Sequence, residues 1–303
     1  EDWQKKDEDL EADFIIIDES SMLDMWLTWK LFQRLRPGTK LLLVGDADQL
    51  ESVGAGDVFH ELIQSHYVPV TVLDKIFRQA NDSPIPHNAK CINEGNTELY
   101  FCRDFSFIPA DSQEDAAEMI LSLYKKEIAQ RGIDRVQILS PYRSRGEASS
   151  DGLNETIRAE VNPPLSDKPE VMFGGSLFRL DDRVMQTKNN SSILLRDSSG
   201  KETSHGVFNG EIGRIHDIQP GKVIIQFDNR YADYPMETLS ELTLSYASTV
   251  HKAQGTEYDT IIIPMLMAHR ILLTRNLLYT AVTRLAELRS QGQQFYNINW
   301  TPP

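Results

Sequence analysis

The clearest indication of the fold is the stretch Phe14-Ile15-Ile16-Ile17-Asp18-Glu19-Ser20-Ser21-Met22, in which four large apolar residues are followed directly by two carboxylates. A second stretch, Leu41-Leu42-Leu43-Val44-Gly45-Asp46, repeats the arrangement. Continuous aliphatic runs, rather than strict alternation, predict strands that are covered on both faces in a parallel α/β sheet. Because ligands of such sheets lie at the carboxyl ends of the strands, we expect both acidic ends to contribute to one site.

The residue types at these two strand ends suit nucleotide hydrolysis. Asp18 is a candidate ligand for Mg²⁺, and Glu19 is a candidate to polarise the attacking water. Gln49, in the string Gly45-Asp46-Ala47-Asp48-Gln49-Leu50, is a candidate sensor of a γ-phosphate. Taken singly, each string also fits a structural reading: an acidic strand end or helix cap for the first, and a polar turn for the second.

Further along the chain, the pattern of α/β elements is interrupted once. The apolar segment Val70–Leu73 opens a second α/β section, which continues with a predicted helix and strand at Glu114–Gln130 and Val136–Leu139. From about Val171 to about Leu239, short apolar runs separated by turn dipeptides such as Asn209-Gly210 predict a small inserted β-barrel.

The α/β pattern resumes at Leu242. It predicts a strand at Thr260–Pro264 and a helix at Thr274–Ser290. The residues after Arg284 show no further apolar run, so no strand is predicted there.

Composition limits the classes of function. A chain of 303 residues is long enough for about two domains. The net charge of −14 excludes a broadly basic nucleic-acid surface, so any groove for DNA must be local. No apolar run approaches the roughly 20 residues of a membrane span. Cys91 and Cys102 form no CxxC pair, which fits a cytoplasmic protein without a disulfide framework.

Five strings in this order resemble the motifs of one family: Asp18–Met22, Gly45–Leu50, Ile76–Gln79, Thr249–Glu257 and Arg275–Arg284. They are similar to motifs II, III, IV, V and VI of the superfamily 1 helicases. Within that superfamily, the sequences of Val207–Glu211 and of Thr249–Glu257 resemble those of the RecD and RecD2 branch of ATP-dependent DNA helicases. The resemblance extends from about Ala12 to Arg284.

The resemblance implies an α/β fold of RecA-like P-loop NTPase domains, with parallel sheets and an inserted small SH3-like β-barrel. Residues 1–70 would form part of a first RecA-like domain that carries motifs II and III. Residues 71–170 and 240–303 would form the second RecA-like domain, and residues 171–239 would form the barrel.

The resemblance also implies a nucleotide site for ATP and Mg²⁺. Asp18 would coordinate Mg²⁺, Glu19 would activate water, and Gln49 would couple the γ-phosphate to the DNA site. Arg78 and Arg284 would act as arginine fingers, because a guanidinium has a permanent charge and a planar fork that matches phosphoryl oxygens. The structural alternatives are a surface salt bridge for Arg78 and a helix C-terminal cation for Arg284.

Motif V would serve both ligands. Gly255 and Glu257 would approach the nucleotide, whereas the remaining polar residues would contact a DNA backbone: Thr249, His251, Lys252 and Gln254. A buried structural histidine is the alternative reading of His251.

A weaker DNA prediction concerns two loops. Tyr142 and Arg143 follow a predicted strand and offer an aromatic face and a cation to unstacked bases. Asn189, at the start of the barrel, resembles a DNA-facing element of the family. A plain turn after the strand and a polar hairpin are equally compatible with these residues.

The phosphate-binding sequence Gly-x-x-x-x-Gly-Lys-Ser/Thr is absent from the 303 residues, since Gly200-Lys201 is followed by Glu202 and Gly221-Lys222 by Val223. In the family this loop precedes motif II, so we expect it upstream of Glu1 and expect the chain alone to be inactive. The expected parent protein is a helicase that moves 5′ to 3′ on single-stranded DNA, with recombination or repair proteins as further partners.

Two alternatives remain open at the level of sequence. One is a non-motor module that binds single-stranded DNA or a partner protein. The other is the helicase half of a conjugative relaxase.

Overall fold

The computed structural model of the chain describes residues 9–73, 83–144, 146–285 and 294–300. Its helices are α1 (Met25–Gln33), α2 (Val58–Ser65), α3 (Ile85–Glu94), α4 (Gln113–Arg131), α5 (Ser150–Val161) and α6 (Arg275–Thr283). The first eight strands are β1 (Phe14–Ile17), β2 (Lys40–Leu43), β3 (Phe105–Pro109), β4 (Val136–Ser140), β5 (Glu170–Phe173), β6 (Ser176–Arg179), β7 (Arg183–Gln186) and β8 (Asn190–Arg196). The others are β9 (Glu202–Val207), β10 (Ile212–Gln219), β11 (Lys222–Phe227), β12 (Arg230–Pro235), β13 (Leu242–Leu244), β14 (Ala247–Thr249), β15 (Thr260–Leu266) and β16 (Gln294–Trp300).

The chain divides into two compact units. The first comprises Glu1–Phe107, Ala253–Ile261 and Ala268–Asn297, and the second comprises Ile108–Lys252, Ile262–Met267 and Ile298–Pro303. No helix in the described part of the chain combines the length and the apolar character that crossing a bilayer requires.

In the first unit, β1 and β2 pair in parallel, with Phe14 opposite Lys40 and Ile17 opposite Leu43. The parallel α/β prediction is therefore confirmed. The prediction that these strands are covered on both faces is wrong, because alternate residues of β1 and β2 are exposed. Phe14 and Ile16 are 52% and 60% exposed, so the described residues cover only one face of this strand pair.

Local side-chain caps fix where several helices begin. Asp24 precedes α1 and accepts a hydrogen bond from the backbone N–H of Leu27 at 2.6 Å. Ser112 caps α4 in the same way by accepting from Asp115 N–H at 3.0 Å. Such caps satisfy N–H groups that have no partner within the helix. Helix α4 matches the predicted helix Glu114–Gln130.

The second unit contains a further parallel pair, β4 with β14. A five-stranded sheet has the order β14-β4-β15-β16-β3, and β14 runs parallel to β4 with Ala247 opposite Ile138. Strand β4 is buried along its whole length. Its position and that of β15 confirm the strands predicted at Val136–Leu139 and Thr260–Pro264.

The insertion is an antiparallel sheet of seven strands in the order β13-β7-β10-β11-β12-β8-β9, accompanied by the separate hairpin β5-β6. The turn between β10 and β11 lies at Pro220-Gly221, and the turn between β11 and β12 lies at Asp228-Asn229, where Asp228 has φ 50°. One face packs a core that includes Val223, Ile225 and Phe227. The pairings among the described residues leave β13 and β9 as the two edges of this sheet.

The structure corrects three expectations at the level of single elements. Val70–Leu73 forms no strand. Helix α6 ends at Thr283, earlier than predicted, with Arg284 as its C-cap. The predicted absence of a strand after Arg284 is wrong, since β16 lies between β15 and β3. Tyr296 and Ile298 of β16 are buried. Asn297 and Asn299 interrupt the apolar residues of this strand, so its sequence contains no long continuous apolar run.

Candidate functional site

The first candidate residues lie where β1 ends. Asp18 is exposed, and its Oδ1 accepts a hydrogen bond from the backbone N–H of Glu19 at 2.9 Å. Glu19 is half-buried and adopts the left-handed backbone conformation, with φ 51° and ψ 43°. A non-glycine residue in this region is uncommon and strained. The turn directs the chain into a short 3₁₀ helix at Ser20–Met22, directly after the two carboxylates.

The loop after β2 lies against this turn. Ser20 N–H donates to the carbonyl oxygen of Val44 at 2.8 Å, so the two strand ends are joined by backbone. A Cβ atom at Gly45 would lie 3.0 Å from Ser20 N and 3.1 Å from Ser21 N. A side chain at this position would therefore force the neighbouring backbone to shift by a few tenths of an ångström. Gln49, four residues further on, is buried.

Helix α6 brings Arg284 to both strand ends. Arg284 Nη2 donates to Gln49 Oε1 at 2.9 Å, and Arg284 Nη1 lies 3.3 Å from Glu19 Oε1. The side chain is buried, and its Nε has no hydrogen-bond partner among the described residues. All three residues belong to the first unit. The structure thus brings together Glu19, Gln49 and Arg284, which are separated by up to 265 positions in the sequence.

The other predicted nucleotide residues are placed differently. Gly255 and Glu257 are exposed, and among the described residues the hydrogen-bonded group around Arg284 does not extend to them. Gly255 has a positive φ of 78°. Arg78 and the rest of motif IV lie outside the described residues.

Most of the predicted DNA residues lie in the second unit, and three of them line one small cavity. The cavity has a volume of about 60 Å³ and is bordered by Arg143, Thr249 and Lys252, together with Asp151 and Asn154. Burial, followed by the positive charge of Arg143, lowers the pKa of Lys252. Arg143 Nε lies 3.6 Å from Asp151 Oδ2, and the Arg143 side chain is 71% exposed. Two cations, Arg143 and Lys252, and one carboxylate, Asp151, therefore border the same cavity.

The remaining DNA candidates are separate. Tyr142 is half-buried just after β4. Asn189 is exposed, and its Oδ1 accepts from Asn209 N–H at 2.8 Å, which joins it to the loop before β10. Burial lowers the pKa of His251, so the neutral ring is favoured. Gln254 Nε2 donates to the carbonyl oxygen of Leu50 at 2.9 Å, within the first unit.

Two residues at the site received no role from the sequence. Tyr279 Oη donates to Asp46 Oδ2 at 2.8 Å, and Leu50 N–H donates to Thr280 Oγ1 at 2.8 Å. Both residues fall inside the motif VI string, but only their contacts with residues more than 200 positions away distinguish them from ordinary helix residues. The amphipathic pattern of α6 could not have identified them.

Three family models match the chain. The AAA domain matches residues 2–113, the ATP-dependent RecD-like DNA helicase SH3 domain matches residues 153–227, and the UvrD-like helicase C-terminal domain matches residues 244–287. The middle match covers much of the inserted antiparallel sheet, and the last one covers the strings resembling motifs V and VI.

Curated relatives align with most of the chain. The ATP-dependent RecD2 DNA helicase of Deinococcus radiodurans is 32% identical over 272 residues, which is 90% of this chain and 35% of the relative. The RecBCD enzyme subunit RecD of Mycolicibacterium smegmatis is 25% identical over 91% of this chain and 49% of the relative. The chain therefore spans about a third of the first relative and about half of the second.

Among solved structures, the Pif1 helicase from Candida albicans is similar in fold. The match has a TM-score of 0.55 and 17% sequence identity, and it covers 99% of this chain and 73% of that chain. At this level of identity the likeness supports the α/β fold alone.

Proposed function

Because this chain is homologous to the RecD and RecD2 DNA helicases and carries a RecD-like SH3 domain, we propose that it is part of an ATP-dependent DNA helicase. The complete protein would hydrolyse ATP, move 5′ to 3′ along single-stranded DNA and separate duplex DNA ahead of it. The relatives are longer than this chain, so the proposal concerns the protein to which these 303 residues belong.

The observation that carries the proposal is the contact of Arg284 with both Glu19 and Gln49. A buried guanidinium is costly unless it is paired and hydrogen-bonded. A protein that only binds DNA does not need to hold an arginine, a carboxylate and an amide in one partly buried cluster. These three groups are the ones that phosphoryl transfer uses to position water and to stabilise negative charge.

Each side chain has a defined task in this proposal. Glu19 accepts a proton from the attacking water, and the Gln49 amide orients that water and responds to the γ-phosphate. Arg284 stabilises charge on the transferred phosphoryl group through a planar fork of donors. A phosphate bound by Arg284 would compete with Glu19 and Gln49 for the donors of its guanidinium.

Asp18 is the residue that would hold Mg²⁺. The described residues contain no group of three or more His, Cys, Asp or Glu side chains that could bind a metal without a substrate. An exposed carboxylate at the end of β1 fits Mg²⁺ nonetheless, because this ion is usually bound by one or two carboxylates together with substrate phosphates. When bound, Mg²⁺ supplies charge neutralisation at the phosphates.

The DNA site in this proposal is local. With a net charge of −14, the chain needs a small cationic patch rather than a basic face. Arg143, Thr249 and Lys252 provide such a patch around the small cavity of the second unit. His251 would contact a phosphate as a neutral donor, since burial lowers its pKa. Tyr142 and Asn189 would contact the bases or the strand at neighbouring loops.

The 303 residues lack the phosphate-binding sequence, so we propose that this chain alone does not turn over ATP. Positioning and electrostatic stabilisation supply most of the catalysis in phosphoryl transfer, and both depend on that loop. The chain would retain the local DNA patch. A cytoplasmic location and recombination or repair proteins as partners complete the proposal.

Strand displacement by the native-length protein tests this function. Duplexes with a 5′ single-stranded tail should be unwound in the presence of ATP and Mg²⁺, whereas duplexes with a 3′ tail should not. The variant Arg284→Lys should bind the same DNA and unwind it at least about a hundredfold more slowly. DNA binding without ATP turnover would instead favour a non-motor binding module.

A further inference from the structure

The loop that carries Gln49 is held at both ends by consecutive residues of α6. At one end, Tyr279 Oη donates to Asp46 Oδ2 at 2.8 Å. At the other end, Leu50 N–H donates to Thr280 Oγ1 at 2.8 Å. Gln49 lies between these two attachment points, adjacent to Leu50.

The backbone of Leu50 is held on both sides of its Cα. Its N–H is bonded to Thr280, and its carbonyl oxygen accepts from Gln254 Nε2 at 2.9 Å. These two groups belong to the successive peptide units on either side of the Leu50 Cα, so a hydrogen bond opposes rotation of each unit. Because the backbone of Leu50 is fixed, the preceding residue is fixed in direction as well.

The helix attachment also aligns with Arg284. Thr280 and Arg284 are four residues apart at the end of α6, so their side chains lie on the same side of the helix. Thr280 holds the Leu50 backbone, while Arg284 Nη2 donates to the Gln49 side chain at 2.9 Å. One turn of helix thus holds both the backbone and the side chain of this part of the loop.

The hydrogen bond from Tyr279 to Asp46 is stable across neutral pH. Burial, followed by the negative charge of Asp46, raises the pKa of the Tyr279 phenol well above its ordinary value. The phenol therefore keeps its proton and donates to the carboxylate. Asp46 in turn accepts from Asp48 N–H at 3.0 Å, so Tyr279 stabilises the turn as well as its end.

We propose that Tyr279 and Thr280 are positioning residues that clamp the Asp46–Leu50 loop and thereby hold Gln49 against Arg284. This inference rests on the proposed function, in which Gln49 and Arg284 act on the phosphoryl group. Neither Tyr279 nor Thr280 touches the reacting atoms in this role. Without the clamp, Gln49 samples other orientations, and the fraction of complexes in a reactive geometry falls.

Thr280→Val and Thr280→Ser form the central test, since valine keeps the shape and serine keeps the acceptor oxygen. Site-resolved hydrogen exchange on the 303-residue chain should show the Leu50 amide exchanging about tenfold faster in Thr280→Val, as expected for the loss of one hydrogen bond. Thr280→Ser should restore the protection. Unchanged exchange at Leu50 in Thr280→Val would overturn the proposal, whatever the activity of the protein.

ATPase kinetics of the native-length protein measure the consequence. Thr280→Val should lower kcat about tenfold and leave the KM for ATP within about twofold, because the clamp orients a group that acts in the transition state. Tyr279→Phe should show the same pattern to a smaller degree. Tyr67→Phe is the matched control, since that hydroxyl belongs to a side chain that is 93% exposed.

The two readouts separate the two proposals. A native-length protein without DNA-stimulated ATPase would contradict the proposed function, while Leu50 exchange would still show whether the clamp forms. If Thr280→Val raises KM and leaves kcat unchanged, Thr280 does not position Gln49 for the reaction, and the proposal is wrong.

Discussion

The ion pair between Glu19 and Arg284 is expected to stabilise the first unit by a measurable and calculable amount. Arg284 Nη1 lies 3.3 Å from Glu19 Oε1, and the arginine side chain is 7% exposed while that of the glutamate is 36% exposed. The perturbation is a set of three variants: Glu19→Gln, Arg284→Met and the two combined. The quantity of interest is the coupling free energy, which is the part of the destabilisation that the single variants share.

The magnitude follows from the geometry. Coulomb attraction between unit charges at this distance is about 5 kcal/mol at an effective dielectric constant of about 20. Solvent reaches more than a third of Glu19, and desolvation of the buried guanidinium opposes the attraction. We therefore expect a coupling of about 1 kcal/mol. The pair Lys90–Glu94 serves as a control, because both side chains are more than half exposed at 3.7 Å and a coupling below about 0.5 kcal/mol is expected.

Urea unfolding of the parent chain and the variants, all in a Trp300→Phe background, gives the coupling, because the fluorescence of Trp26 and Trp29 in α1 then reports on the first unit. The double variant should lose less stability than the sum of the single variants. A coupling no larger than that of Lys90 and Glu94 would show that Arg284 is not paired with Glu19 in solution. The assignment of both residues to one site would then lose its main support.

Three further changes are expected to have separable effects. Gly45→Ala should destabilise the chain by about 1–3 kcal/mol in urea unfolding, because its Cβ would press on the backbone nitrogens of Ser20 and Ser21, and stability equal to wild type would contradict this. Lys252→Met should weaken the binding of single-stranded DNA, and the slope of log affinity against log salt concentration should fall in magnitude by about 0.7. Fluorescence anisotropy measures both quantities. An unchanged slope would exclude a contact between Lys252 and a DNA phosphate. Burial lowers the pKa of His251, so the stability that its neutral form contributes is fully present above the ordinary pKa of 6.5 and is lost as the pH falls from 6.5 toward the lowered pKa. His251→Asn should therefore flatten this part of the plot of unfolding free energy against pH. A plot for the variant that runs parallel to that of the wild type would refute this role of His251.

Much of the local structure could be predicted from sequence because its signals are local. The apolar runs gave β1, β2 and β4, and the turn dipeptides gave the hairpins of the insertion. The ordered motifs also pointed to Glu19, Gln49 and Arg284, which the structure places in contact. That prediction rested on the chemistry of these residue types and on the order of the motifs along the chain.

Other features depend on what packs against what, which no local pattern records. The aliphatic runs of β1 and β2 predicted cover on both faces, but cover depends on the neighbours, and Ile16 is 60% exposed. Strand β16 was not predicted because two asparagines, Asn297 and Asn299, interrupt its apolar residues. The contacts of Tyr279 and Thr280 with the Asp46–Leu50 loop join residues 230 or more positions apart, so they become visible only in three dimensions.

DNA-stimulated ATP hydrolysis shows whether Glu19, Gln49 and Arg284 belong to an ATP-driven motor. It would be measured for the 303-residue chain, for the same chain joined at its N-terminal end to a segment that carries the phosphate-binding loop, and for the joined chain with Glu19→Gln. We expect turnover only in the joined chain, and a loss of at least about a hundredfold in its Glu19→Gln variant. Robust turnover by the 303-residue chain alone would refute the proposed need for the phosphate-binding loop, and equal turnover with and without the Glu19 carboxylate would refute the proposed role of Glu19.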